Sequence, residues 1–333
     1  MIAIKKSGFL LLITLVINAF TPAKALAAEE DETKAAIPAS SDSNAVREAI
    51  PLASPQERRI KALIDSISIN RAHEIETIES PNDAFLALFK ESATGDPQGC
   101  VLLIHGDNEH PDWPQAISPI RNTLTDNSWC TLSIEIPDTT KRFQLPLFSD
   151  STANETAETS QGESEAKMLP NEEVIFNRIE QARQHLRDKG YSRLVFLGHG
   201  TGATYALKYT IDKNISESAL VLIDPITPLP FSDYEIAELI ESIGLPVLDY
   251  YFNNHLNGNR FAQYRLSASK KRLSKSDAYI QVQAPADRRY GSAGDKRLTQ
   301  RVWGFLKQNT HQIKQTRPLP EIEKGLFSED PFE

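Results

Sequence analysis

RLVFLGHGTGATYALKYT, residues 193–210, begins as an apolar run with the length of a buried strand. Three glycines at alternating positions follow it, Gly198, Gly200 and Gly202, and a helix is predicted from about residue 201 to 212. A strand that runs into a glycine-rich turn and then into a helix is the building unit of sheets covered by helices. The purpose of this turn depends on its middle residue, which is Gly200.

The same unit recurs along the chain. Five other apolar runs are each followed by a predicted helix: CVLLIHG, CTLSIEIP, ALVLIDP, LPVLDYYF and AYIQVQA. Strands that alternate with helices in this way predict a parallel sheet. Ahead of them, AHEIETIES and DAFLALFKES, joined by SPND, predict an antiparallel hairpin. The predicted fold class is therefore α/β, a mostly parallel eight-stranded sheet with helices on both faces and an antiparallel N-terminal hairpin.

The ends of the chain have a different composition from its centre. Lys5 and Lys6 precede the apolar run GFLLLITLVINAF, and Ala25 and Ala27 have signal-peptidase spacing. This pattern predicts a signal peptide over residues 1–27, with an uncleaved anchor as the alternative. Polar or loose composition then predicts three unstructured segments around one domain. The prediction is a disordered leader at 28–54, a domain at 55–311 with a flexible acidic insertion at 149–167, and a loose tail at 312–333.

The net charge limits the partners of an exported chain. The whole sequence carries −9, and loss of Lys5, Lys6 and Lys24 brings it to −12, since no acid precedes Glu29. An acidic chain is a poor candidate for binding nucleic acid. After cleavage no stretch is apolar enough to make an integral membrane protein. Basic residues between 260 and 275 predict a solvated helix face.

Several segments together resemble a known superfamily. The order of strands and helices, with LLIHGDNEHPDWPQAISPIRNTLTDNSWCTLSIEIP, LGHGTGA and LPVLDYY, resembles the α/β-hydrolase superfamily. Within it, the chain is similar to a family of exported proteobacterial proteins known as a domain of unknown function. The resemblance covers roughly residues 57–308, and HG-x-x-x-HPDW is its most specific part. It implies a periplasmic location.

The resemblance also implies a strand order, in which the fifth strand and the fourth both lie beside the third. His105 and His199 then come at adjacent strand ends, on the carboxyl edge where sites form in such sheets. Cys100 and Cys130 come at the starts of two neighbouring strands, within the usual distance for a disulfide. An oxidising compartment permits this bridge. Two buried thiols are the alternative.

The glycine turn lacks the groups of a serine hydrolase. Such an enzyme presents its nucleophile at the middle of G-x-S-x-G, where this chain has Gly200. Thr201 is one position late. The base is expected after the last strand, in APADRRYGSAGDK (284–296), which contains no histidine. Asp224 and Asp249 come near the position of the acid, but an acid without a base has no partner to orient.

These observations favour an exported binding or scaffolding protein without serine-type catalysis. Its partner is an unknown small ligand or an envelope protein, and no cofactor is predicted. The candidate pocket residues are those that the carboxyl edge brings together: His105, Gly106, Asp107, His110, His199, Gly200, Thr201 and Asp224.

Three alternatives remain open. An atypical hydrolase of an ester, amide or glycan would use an unrecognised nucleophile, or a metal held by the imidazoles and carboxylates of this edge. Dinucleotide binding is suggested by Gly198, Gly200 and Ala203, which fit G-x-G-x-x-A, with Asp224 at the end of the next strand. The N–H groups of residues 200–203 are also suited to a small anion.

Overall fold

The computed structural model describes residues 53–81, 83–140, 167–216, 219–253, 256–272, 278–285 and 293–310. Its strands are β1 (Ile75–Glu79), β2 (Ala84–Lys90), β3 (Gly99–Ile104), β4 (Trp129–Ile134), β5 (Leu194–His199), β6 (Ala219–Ile223), β7 (Val247–Phe252) and β8 (Tyr279–Ala284). Its helices are α1 (Pro55–Ser66), α2 (Ile117–Thr125), α3 (Glu172–Asp188), α4 (Thr201–Asp212), α5 (Asp233–Glu238), α6 (Leu256–Ser269) and α7 (Ala293–Asn309). Two 3₁₀ helices span Ile69–Glu74 and Leu239–Ser242. The predicted signal peptide, the tail, and nearly all of the leader and insertion lie outside the described residues.

The eight strands form one sheet in the order β1-β2-β4-β3-β5-β6-β7-β8. β2 pairs antiparallel with β1 and with β4, and every other pair is parallel. The predicted fold class is therefore confirmed, including the N-terminal hairpin and the positions of β4 and β5 on either side of β3. In this order the carboxyl ends of β3, β5 and β6 are neighbours.

The core lies on both faces of the sheet because successive strand residues point to opposite sides. Leu102 of β3 belongs to a cluster with the buried faces of α3 and α4. Its neighbours Val101 and Leu103 belong to a second cluster, with α2 and α7. Strands buried on both faces read as continuous apolar runs, which is the pattern seen in the sequence.

A disulfide joins β3 to β4. Cys100 and Cys130 are register partners in this parallel pair, with 4.4 Å between their Cα atoms. Both side chains are fully buried. The bridge implied by the resemblance is present in the structure, and the alternative of two free thiols is not.

Two details differ from the sequence predictions. The first strand is shorter than AHEIETIES, because Ile69–Glu74 forms a 3₁₀ helix and β1 begins only at Ile75. The basic stretch on α6 is not uniformly solvated: Arg265 and Arg272 are 1% and 4% exposed. Arg265 binds a buried carboxylate, and Arg272 donates to two backbone carbonyls, so tertiary partners draw both inside.

Across the described ranges, no helix combines the length and apolarity that a bilayer span requires.

Candidate functional site

The glycine turn connects β5 to α4 at the carboxyl edge of the sheet. Gly200 has φ 58° and ψ −125°, a backbone conformation that L-residues rarely adopt. A Cβ on Gly198 would lie 2.3 Å from the Cα of Ala203, and one on Gly202 would lie 2.2 Å from the carbonyl oxygen of His105. These two glycines are required because the strand, the helix and the loop after β3 pack backbone to backbone.

Gly200 itself has more space around it. A Cβ there would meet the Cα of Gly106 at 3.6 Å and the Cδ1 of Ile226 at 3.8 Å, which are ordinary contacts. A small side chain therefore fits, and only the positive φ disfavours it. The backbone retains the sharp bend from strand to helix, and the bend carries no side chain.

A carboxylate ties the loop after β3 to this turn. Glu109 Oε2 accepts the N–H of Gly106 at 2.6 Å and lies 2.8 Å from Nδ1 of His199. Burial alone would raise the pKa of Glu109. The charge of His199 and the hydrogen bonds from His199 and Gly106 lower it by more than burial raises it, so the pKa lies below its ordinary value. Glu109 is consequently an ionised carboxylate that orients the imidazole of His199.

The backbone N–H of Asp107 is already occupied. It donates to the hydroxyl of Thr201 at 2.7 Å. In α/β-hydrolases the oxyanion hole uses the N–H after the nucleophile and a second N–H from the loop after the third strand. The Thr201 hydroxyl binds the donor that this loop offers next to the turn. By accepting this hydrogen bond, the Thr201 hydroxyl fixes the loop after β3 against the start of α4.

His105 is a structural residue at the base of this loop. Its Nδ1 lies 2.8 Å from the carbonyl of Gly106, and its Nε2 lies 3.1 Å from the N–H of Ile136. Nδ1 must donate and Nε2 must accept, so the ring is neutral. Burial lowers its pKa to about 4, against which the bond to Gly106 acts only partly. Both ring nitrogens are used within the protein.

A cavity of about 590 Å³ opens beside the turn. This volume is typical of a small-molecule site. Its lining comes from the loops after β3, β4, β5 and β6 and from the segment before α3: Gly106, Asp107, Glu109, Gln115, Thr139, Thr140, Pro170, His199, Gly200, Thr201, Asp224, Ile226, Thr227, Pro228 and Leu229. The cavity lies where parallel sheets of this type place their ligands.

The cavity does not include every residue predicted for the pocket. Six line it: Gly106, Asp107, His199, Gly200, Thr201 and Asp224. His105 lies beneath the loop instead. His110 borders a different surface depression, where its ring packs edge-on against Trp113 at 5.2 Å. The acid considered on β7, Asp249, is fully buried and bonded by Arg265, Tyr279 and Gln281.

Glu109 is the residue of this site that sequence reasoning missed. A single glutamate in a polar loop is unremarkable, and its partners are a backbone amide and a histidine 90 residues away. The one available signal is its spacing, three positions after Gly106, from which a glutamate can reach back to a backbone N–H as in a capping box.

Two alternatives, a metal site and dinucleotide binding, can be compared with the geometry of the described residues. Among the described residues, no group of three or more His, Cys, Asp or Glu side chains is arranged to hold a metal ion. The match to G-x-G-x-x-A rests on glycines that the packing of β5 on α4 already explains. Asp224, which that motif pairs with a ribose, lines the cavity with a positive φ of 45°.

The sheet order and the glycine elbow define the class of protein: the chain has an α/β-hydrolase fold. It is similar to dienelactone hydrolase from Anabaena variabilis, with 13% identity and a TM-score of 0.50 over 72% of this chain and 100% of that one. It is similar also to the ferulic acid complex of Est1E from Butyrivibrio proteoclasticus, with 14% identity and a TM-score of 0.50 over 70% of this chain and 98% of that one. At this identity the likeness shows the fold alone. No curated protein matches the chain in sequence.

The chain belongs to the family described as protein of unknown function (DUF3530), which matches residues 9–308. This match covers most of the chain, including the elbow and the loop after β3.

Proposed function

We propose that this protein is a non-catalytic member of the α/β-hydrolase fold that binds a small ligand, or an envelope protein, at the cavity beside Gly200. The observation that carries the proposal is the elbow itself. It has the backbone bend that presents a nucleophile in hydrolases, yet residue 200 has no side chain to attack with.

The missing groups are worth a large share of a hydrolase's rate. Loss of the serine or the histidine in a serine protease costs about 10⁶ in turnover, or roughly 8 kcal/mol of barrier. Here the nucleophile position is glycine, and the sequence after β8 has no histidine through residue 296. The Thr201 hydroxyl is bound to the N–H of Asp107. These features support binding without serine-type chemistry.

The proposed location is the periplasm, with export by the predicted signal peptide at residues 1–27. The buried Cys100–Cys130 disulfide is compatible with it, because disulfides persist in oxidising compartments.

One contact favours a second candidate, an atypical hydrolase of an ester, amide or glycan. His199 lines the cavity and is oriented by the Glu109 carboxylate at 2.8 Å. A carboxylate-held imidazole is the usual general base of hydrolases, and a water molecule beside Gly200 would replace the serine. In this candidate, Glu109 positions the base and His199 removes the proton of the water.

Turnover of short-chain p-nitrophenyl esters separates the two candidates, measured with zinc and with EDTA. We expect none from the wild type and none from Gly200→Ser. That variant should fold, at a cost of about 1–2 kcal/mol for the positive φ, because its Cβ has room. Gly200→Ala is the matched control for this strain. The atypical hydrolase is established instead if the wild type hydrolyses the esters, His199→Ala does not, and Gly200→Ala still does.

A further inference from the structure

The last helix, α7, presents a basic face to solvent. Among its described side chains, the exposed charged ones are all cations: Lys296, Arg297, Arg301 and Lys307. The helix has one acidic residue, Asp295, which is only 9% exposed. The whole sequence has a net charge of −9, so this face is opposite in sign to the protein as a whole.

The period of the helix brings these cations together on one side. Steps of three or four residues align Lys296, Trp303 and Lys307, and Arg297 and Arg301 form the adjacent line. From residue 296 to residue 307 the cations extend over about 16 Å of the helix axis. The residues on the opposite side belong to the core cluster that α7 shares with the sheet: Leu298, Val302, Phe305 and Leu306.

This basic face is uncovered within the part of the chain that the structure describes. None of its four cations forms an ion pair with a described carboxylate. Lys307 lies over the ring of Trp303 instead, with Nζ 5.2 Å from the ring centroid. A Cβ on Gly304 would meet nothing within 4 Å beyond its own stretch of helix, so the middle of the face is open.

The charge and shape of the face restrict its partner. Unpaired cations of one sign attract an anionic surface. The centre of a protein–protein interface is depleted in charged residues, whereas this face is charged along its whole length. Its single aromatic side chain, Trp303, is half-buried, and tryptophan is enriched where a membrane meets water. An extended row of cations with one indole fits a layer of anionic headgroups better than an acidic protein.

We propose that the exposed face of α7 binds a lipid surface of negative charge, with its four cations at the phosphate groups. The contact is peripheral, because the apolar side of α7 stays packed on the sheet. The acidic remainder of the protein opposes it only weakly, since charges farther than about 8 Å apart are screened at physiological salt. No residue of α7 lines the cavity beside Gly200, so this surface is independent of the proposed function.

Co-sedimentation with lipid vesicles tests the proposal, with the protein in the form that cells produce. Neutral vesicles of phosphatidylcholine are compared with vesicles in which about a third of the lipid is phosphatidylglycerol. We expect binding to the anionic vesicles at low salt, weaker binding as salt is added, and little binding to the neutral ones. Equal binding to both kinds of vesicle overturns the proposal, as does no binding to the anionic kind.

Two double variants locate the binding. Lys296→Gln/Arg301→Gln removes two exposed cations of α7 and should lower the partition coefficient on the order of thirtyfold. Arg58→Gln/Lys61→Gln is the control, with the same charge change on exposed residues of α1. Equal loss in both variants assigns the binding to net charge and overturns α7 as the surface. Lys296→Arg/Arg301→Lys keeps the charges and should bind as the wild type does.

Poly-glutamate represents the competing occupant, an acidic protein. We expect the protein to bind the anionic vesicles at salt concentrations at which it no longer binds poly-glutamate. Poly-glutamate binding that persists at higher salt than vesicle binding, and that Lys296→Gln/Arg301→Gln abolishes, identifies an acidic protein as the partner and overturns the lipid surface.

Discussion

The three glycines of this elbow are required for different physical reasons. Gly198 and Gly202 are demanded by backbone contacts that leave no room for a Cβ. Gly200 has the room and only relieves a positive φ of 58°. In related enzymes the middle position carries a strained residue for the sake of chemistry. Here the middle residue is glycine, so that strain is absent.

The neutral state of His105 makes stability depend on pH. Its pKa is about 4 in the folded protein and ordinarily 6.5, so between these values the unfolded chain binds more protons. The contribution of neutral His105 to the free energy of unfolding is therefore fully present above pH 6.5 and is lost as the pH falls from 6.5 to 4. The difference of about 2.5 pH units amounts to roughly 3 kcal/mol.

His105→Gln removes this dependence while keeping an acceptor for the N–H of Ile136. We expect the variant to be less stable at pH 7 by about 1–3 kcal/mol, since the bond to Gly106 is lost. Its stability should then fall less steeply towards pH 4 than that of the wild type. Urea unfolding at a series of pH values measures both curves, and the contributions of the carboxylates cancel in the difference. Parallel curves would contradict the prediction.

At the scale of elements, buried charges connect the 3₁₀ helix Ile69–Glu74, the HPDW loop and α2. Arg121 of α2 is fully buried and donates to Glu74 at 2.7 Å and to Asp112 at 3.2 Å. Arg71 reaches the same two carboxylates, at 3.1 and 3.4 Å. The aspartate of the most specific sequence motif is thus held between two arginines, which fixes the loop on top of α2.

Arg121→Met should destabilise the protein by about 3–5 kcal/mol, because it leaves the buried carboxylate of Glu74 and the partly buried one of Asp112 without their central cation. The control is Lys61→Met, which breaks the exposed pair with Asp65 on α1. That pair has 79% and 65% exposed side chains and should contribute only about 0–0.5 kcal/mol. Urea unfolding of the two variants gives the comparison. Losses of similar size would mean that the buried network is not a stabilising element.

At the scale of the whole molecule, the disulfide restrains the chain between two central strands. Its cysteines are 30 residues apart and enclose α2 and the loop that lines the cavity. Closing a loop of this length reduces the entropy of the unfolded chain and stabilises the fold by about 4 kcal/mol in the chain-entropy model. The bridge thus acts on the same segment that positions Asp107 and Glu109.

The double variant Cys100→Ala/Cys130→Ala should lose about 3–4 kcal/mol of unfolding free energy relative to the oxidised wild type. Wild type unfolded and refolded in reductant is the control, because it keeps both side chains and lacks only the covalent bond. The reduced protein should therefore account for most of the loss. If it unfolds at the same urea concentration as the oxidised protein, the bridge does not stabilise the fold.

Much of the architecture was predictable from the sequence because it depends on local pattern. Apolar runs of strand length that alternate with helices specify a parallel sheet with both faces covered, and the glycines of 198–202 specify a close strand–helix turn. The absence of a hydroxyl at residue 200 is likewise a property of the sequence. The order of the strands came only through resemblance, since periodicity does not say which strands are neighbours.

The tertiary structure alone decided which polar residues share a site. His105 and His110 stand in the same motif, yet one is buried beneath the loop and the other faces a different depression. Glu109, between them in the sequence, contacts His199. Arg265 lies on a helix whose basic sequence predicts a solvated face, yet its side chain is buried and binds Asp249. The physical reason is that hydrogen bonds and ion pairs join atoms distant along the chain. Spacing along a sequence carries information only about neighbours within one helix, strand or turn.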